Sequence, residues 1–126
     1  TLIKLYDGSN AINGLLTNET CAIGTDSTGI IADYSSASGT FKVWDGITDK
    51  TGDASVTYSI VSGSVSSGLS ISIAASGIYT ISNFTADNGF ATLRAVYNGV
   101  TIDKVYNITK SKAGAVYSNV ERVFND

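Results

Sequence analysis

The sequence predicts an all-β fold: an immunoglobulin-like antiparallel β-sandwich of seven to eight strands, with extended terminal segments. Three observations predict it. Short runs alternate apolar and polar residues with period two, as half-buried strands do. Turn clusters of Gly, Asn, Asp and Ser punctuate the chain about every eight to twelve residues. No stretch holds a helical period long enough to bury one face of a helix. Composition agrees: of 126 residues, 43% are hydrophobic, 15% are charged and none is proline. A closed barrel would give the same periodicity, and alternation alone does not separate the two.

Residues 1–16 read as a connector or arm. Leu2, Lys4, Leu5 and Tyr6 alternate briefly before the turn cluster Asp7-Gly8-Ser9-Asn10, and Asn13-Gly14 follows. Residues 17–23 make the first strand, 24–29 a polar turn, and 29–34 a short second strand. Residues 40–45 alternate cleanly, with Phe41 and Val43 on one face and Lys42 and Trp44 on the other. Past a polar loop over 46–54, Val56, Tyr58 and Ile60 point inward from the next run. Leu69, Ile71 and Ile73 then share a face, as do Tyr79 and Ile81. The sandwich is expected to span 17–112, with 113–126 as a linker or arm.

The run 90–109 is the clearest hairpin. Ala91, Leu93, Ala95 and Tyr97 fall on one face, and Ile102, Tyr106 and Ile108 return to it after the turn. Asn98-Gly99 suits the two positive φ angles of a type I′ turn, whose twist matches its flanking strands. Lys104 and Val105 interrupt the apolar alternation, which predicts a bulge or an edge position there.

Charge narrows the function classes. A net charge of −3 is unsuited to phosphate backbones, so no nucleic-acid partner is expected. No apolar run approaches membrane-spanning length, and no signal-peptide core is visible, so no membrane insertion is expected. A chain opening at Thr1 without Met is expected to be a fragment or a processed product. The single Cys21 has no internal disulfide partner and reads as a small, half-buried strand residue.

Residues that carry chemistry are sparse. With no His and one Cys, the usual nucleophile–base pairs and zinc sites are missing, and neither catalysis nor a cofactor is expected. Asp45, Asp49 and Asp53 recur in one loop, but without the alternating spacing and closing Glu of a calcium loop; they read as solvated aspartates, and no metal is expected. Sequons at Asn18, Asn83 and Asn107 are no more frequent than such a Ser- and Thr-rich chain produces by chance. Trp44 has two readings. On the outer face with Lys42, it is a stacking platform for a sugar ring or a contact to a neighbouring domain, with Tyr34 as a second wall. Alternatively that face is the inner one and Trp44 belongs to the core.

Several stretches carry a family resemblance: Leu16-Thr-Asn-Glu-Thr20, Gly29-Ile-Ile-Ala-Asp-Tyr-Ser35, Gly39-Thr-Phe-Lys-Val-Trp-Asp-Gly46, Gly77-Ile-Tyr-Thr-Ile81 and the hairpin from Ala91 to Tyr106. Together they resemble immunoglobulin-like modules in the tail-tip host-specificity proteins and tail fibres of tailed bacteriophages. Lys110-Ser-Lys-Ala-Gly114 matches the basic exit that leads such modules into the next segment. The similarity spans about Leu16 to Gly114, and its motifs are turn-and-strand patterns that transfer no site residue.

The resemblance implies a non-enzymatic module of a phage tail, located in the virion and extracellular, serving assembly and host-surface attachment. Its expected partners are other tail subunits or neighbouring modules, including copies of itself, and host-surface glycans. A carbohydrate-binding module and a repeat of a bacterial surface adhesin or extracellular filament are the alternatives, because fold alone does not separate them. The apolar residues of both terminal segments are expected to pack on another subunit or module.

Overall fold

The computed structural model describes residues 11–112, which form nine strands and one 3-10 turn. The strands are β1 (Ile12–Leu16), β2 (Thr20–Thr25), β3 (Gly39–Asp45), β4 (Thr48–Asp49), β5 (Val56–Ile60), β6 (Leu69–Ile73), β7 (Ile78–Phe84), β8 (Asn88–Tyr97) and β9 (Val100–Lys112). One sheet has the order β1-β3-β7-β6, with the two-residue β4 also pairing with β3; the other is β2-β9-β8-β5. Every pairing is antiparallel except β2 with β9. The chain crosses between sheets after β1, β2, β4, β5 and β7, so neither sheet is built from one continuous meander. This is the immunoglobulin-like sandwich, with its first strand split between the two sheets.

Each sheet buries one face. Phe41 and Val43 of β3, Tyr79 and Ile81 of β7, Leu93 and Ala95 of β8 and Tyr106 and Ile108 of β9 meet in one apolar cluster. Removing each large side chain from water contributes about 1.5–3 kcal/mol, and the alternation of the sequence puts all of them on the inner faces.

The β8–β9 hairpin holds the expected register without interruption from Asn88↔Thr109 to Tyr97↔Val100. Asn98 and Gly99 take φ angles of 51° and 78°, the left-handed pair that a type I′ turn requires. The bulge expected at Lys104-Val105 is absent. Lys104 takes the half-buried inward position and Val105 the exposed outward one, so alternation is preserved. The edge position is present, because β2 pairs only with residues 107–112 of β9.

Four boundaries differ from the sequence reading. Residues 48–49, expected within a polar loop, pair with β3 as β4 and help bring the count to nine strands rather than seven to eight. Residues 12–16, expected within a connector, are a full strand paired with β3, and Leu16 is buried in the core of its own domain. Asn13-Gly14 mimics a turn signal. Here Gly14 instead lets β1 approach Phe41 and Ile102, where a Cβ would sit 2.9 Å from a side-chain carbon of each. Residues 17–19 are the kink that moves the chain between sheets, so the next strand starts at Thr20. Residues 29–34 form no strand. The Asp26 carboxylate takes hydrogen bonds from the Thr28 and Ile30 N–H groups and the Thr28 hydroxyl, local bonding that competes with a ladder. The expectations for residues 1–10 and 113–126 lie outside the described residues.

Replacing Asn98-Gly99 by Ala-Ala will lower unfolding free energy by about 1 kcal/mol or more, because both residues hold positive φ. Urea unfolding followed by circular dichroism checks this; an unchanged midpoint and slope would contradict the turn assignment.

Candidate functional site

The sandwich has two poles. At one, the Asn98-Gly99 turn lies beside β1's start and Asp45, whose carboxylate accepts the Tyr97 hydroxyl at 2.8 Å. At the other, the long β2–β3 connection covers the ends of β7 and β9. Its segment 26–38 is irregular but tied down at several points. The Ala37 carbonyl accepts the Tyr106 hydroxyl at 2.8 Å, and Asn18 Nδ2 donates to the carbonyls of Ser36 and Ser38. The Tyr34 hydroxyl accepts the Phe84 N–H at 3.1 Å.

Two open clefts flank this connection. The first, about 360 Å³, is lined by Ile30, Ile31, Tyr34, Asn83, Thr85 and Lys110 among others. The second, about 380 Å³, lies on the other side of Ile30, between Asp26, Asp33 and the end of β2. Lys110 Nζ sits 5.6 Å from the centroid of the Phe84 ring and 3.4 Å from the Thr85 carbonyl oxygen. Ile30, 62% exposed, lines both clefts. The first cleft therefore combines an apolar wall, an amide, hydroxyls and an ammonium group, a mixture that can hold a small polar ligand.

Trp44 lies on the outer face of β3 with Lys42, half-buried, while Phe41 and Val43 are completely buried opposite them. The core-facing reading of Trp44 is thereby overturned. Its strand neighbours are Asn13 and Asp49, and Lys42 Nζ reaches Asp49 Oδ2 at 4.0 Å. Leu15, 46% exposed, pairs with Lys42 and extends the apolar part of this face. Tyr34 does not join them. Trp44 lies four residues beyond the Thr40↔Ile78 pair and Phe84 six residues beyond it in the opposite direction, which separates the two aromatic residues by roughly 30 Å. The single sugar site built from Trp44, Lys42 and Tyr34 is thus two separate surfaces.

The loop aspartates serve local structure. Asp45 holds Tyr97, Asp49 the Thr51 N–H, and Asp53 both the N–H and the hydroxyl of Ser55. Hydrogen bonds from Thr51 and from Ser55 hold the Asp49 and Asp53 carboxyls below their usual range. Among the described residues, no three His, Cys, Asp or Glu side chains converge as metal ligands would. Cys21 is more buried than expected, with Sγ 3.5 Å from the Ser36 carbonyl oxygen. Of the sequon asparagines, Asn18 is committed to the Ser36 and Ser38 carbonyls, whereas Asn83 and Asn107 are exposed.

Nothing in the sequence joins Ile30, Asn83, Thr85 and Lys110 into one site: Asn83 reads only as a sequon, Ile30 only as part of an expected strand and Lys110 only as part of a basic exit. They come from three separate parts of the chain and meet only through the sandwich topology. No protein-family model matches the chain, and no curated protein sequence is significantly similar to it.

The Asp26 carboxyl is held below its ordinary range, first by the Thr28 hydroxyl and then by the Ile30 N–H. A carboxyl whose folded pKa is depressed contributes stability above its unfolded pKa, near 3.9, and loses it as pH falls through the folded value. The melting temperature will therefore fall as the pH drops below about 4, and Asp26→Asn will make that fall shallower. Thermal melts at half-unit steps from pH 7 to about 2 read both slopes; parallel curves would contradict the role of Asp26.

Proposed function

We propose that this chain is a non-enzymatic structural and adhesive module of a phage tail or tail fibre, contributing to virion assembly and host-surface attachment. The observation that carries this reading is where β1 and β9 meet the poles. β1 starts beside Asp45 at the hairpin pole, and β9 ends beside Thr25 at the opposite pole. β9 alone has 13 residues, a length on the order of 40 Å. A sandwich entered at one pole and left at the other suits end-to-end stringing, with each module acting as a spacer. The resemblance to phage-tail modules supports the same reading.

A second reading, a carbohydrate-binding module, is favoured by one observation: Trp44 presents part of its ring on the outer face of β3, beside Lys42 and Leu15. Flat aromatic faces stack on sugar rings, and a neighbouring ammonium group adds polar contact. Tyr34 is not part of that platform.

Three observations separate these readings and the adhesin alternative. Antibodies raised against the protein are expected to label virion tails in negative-stain micrographs, and neighbouring reading frames are expected to encode tail components. Labelling of bacterial surface filaments instead would favour the adhesin repeat. In glycan-array binding, Trp44→Ala is expected to lose at least tenfold in signal if the outer face holds a sugar, with its circular dichroism unchanged. Equal signal from both proteins would remove the carbohydrate platform.

A further inference from the structure

Apart from the two-residue β4 and the near part of β9, which carries the charges of Asp103 and Lys104, four strands lie at the margins of the two sheets. Of these, β5 is the one built to accept a partner. The β5–β8 register runs unbroken from Val56↔Tyr97 to Ile60↔Leu93. Val61 N–H donates to the Thr92 carbonyl, the next pair in the same register. In an antiparallel ladder the residues aimed at a neighbour alternate, so Thr57 and Ser59 face β8 along with Val61. The N–H and C=O groups of Tyr58 and Ile60, and the C=O of Val56, therefore point to the open side of the sheet. Val56 N–H is already taken by the Asp53 carbonyl at 3.0 Å, which ends the available ladder.

The other margins are blunted. The pairing of β6 shifts register between Ser70 and Ile71, β1 carries Gly14 at its centre, and the Ser35–Ala37 turn sits against β2. Such devices keep edges from pairing. The sequence of β5, Val-Thr-Tyr-Ser-Ile, contains no charge, proline or glycine.

We propose that β5 pairs antiparallel with β5 of a second copy of this chain, about a two-fold axis at Tyr58, joining two four-stranded sheets into one of eight. The strand is complementary to itself in that register. Val56 meets Ile60 of the second copy on the inner face, Tyr58 meets its own equivalent, and Thr57 meets Ser59 on the outer face. Apolar residues oppose apolar ones, and hydroxyls oppose hydroxyls. Tyr58 N–H groups bond reciprocally to Tyr58 carbonyls across the axis, and each Ile60 N–H reaches the Val56 carbonyl opposite. Of the backbone groups left open by β8, this register uses all but the Ile60 carbonyl, whose counterpart, the Val56 N–H, is already taken. The like-with-like pairing at all five positions is what favours a second copy. A single strand pair buries less surface than a stable dimer needs, so the association is weak and concentration-dependent. It extends the assembly part of the reading above, but its failure would leave virion labelling untouched.

Thr57 and Ser59 provide the test, since both are exposed and lie outside the core. Sedimentation equilibrium from about 5 to 500 μM is expected to show the wild-type mass rising toward twice the monomer value. The double variant T57K/S59K places like charges opposite each other twice and is expected to weaken association by about tenfold or more. T57K/S59D places Lys opposite Asp twice and is expected to restore it. Circular dichroism and thermal melts verify that both variants fold; a variant that unfolds is replaced by T57E/S59E or T57E/S59K, which carry the same logic with signs reversed. A wild-type protein monomeric at every concentration would overturn the proposal. So would equal association of the two double variants, or slow amide exchange at Tyr58 and Ile60 in dilute monomer, which would mean the chain itself covers this edge.

Discussion

The fold depends on two tyrosines that meet between the sheets. Tyr79 of β7 and Tyr106 of β9 are completely buried, with their rings edge to face at 5.4 Å between centroids. A phenol inside a core needs a hydrogen-bond partner for its hydroxyl, and an orphaned one costs about 1–3 kcal/mol. Both find theirs in irregular backbone. Tyr79 donates to the Asn18 carbonyl at 2.8 Å and accepts the Asn18 N–H at 3.1 Å, while Tyr106 donates to Ala37. Burial pushes both phenols up from their ordinary pKa, so they remain neutral donors at physiological pH. Each sheet thus reaches out from the core to fasten one connection.

Those two fastenings shape the margins of the sandwich. The kink at Thr17–Glu19 lets β1 complete the first sheet and β2 the second, and Asn18 binds that kink to the turn before β3. Because β2 begins only after the kink, it covers just the far part of β9. The near part of β9 stays at a margin, beside the crossing β1. The clefts at the loop pole have the same origin: a connection held at Tyr34 and Ala37 arches over the ends of β7 and β9 without filling the space beneath it.

Most charged groups are occupied with local structure. Asp26, Asp33, Asp49 and Asp53 each organise a turn two to four residues onward. Arg94 and Asp103 face each other across the hairpin in a two-point ion pair at 2.8 and 2.9 Å. Being exposed to solvent, that pair adds little to stability, and its value lies more in fixing register. What remains for contact among the described residues is less charged: Trp44 and Leu15 on one sheet, Ile30 and Lys110 at the loop pole, and the uncharged rim of β5.

The amino-acid sequence by itself determined the all-β class, the inward face of nearly every strand from Phe41 onward, and the Asn98-Gly99 turn. These depend on neighbours along the chain: period-two alternation needs only the pleat, and a type I′ turn needs only two residues that tolerate positive φ. Tertiary structure decided what depends on residues far apart. It made Asn13-Gly14 a strand because Phe41 and Ile102 close in on it, and it fixed the course of the β2–β3 connection because Phe84 and Tyr106 bond to Tyr34 and Ala37. It set Trp44 on the outer face and Tyr34 at the other end of the molecule, since strand pairing, not sequence spacing, sets distances between strands. It also gathered Lys110, Asn83 and Ile30 around one cleft, a grouping that exists only where β7, β9 and the β2–β3 connection come together.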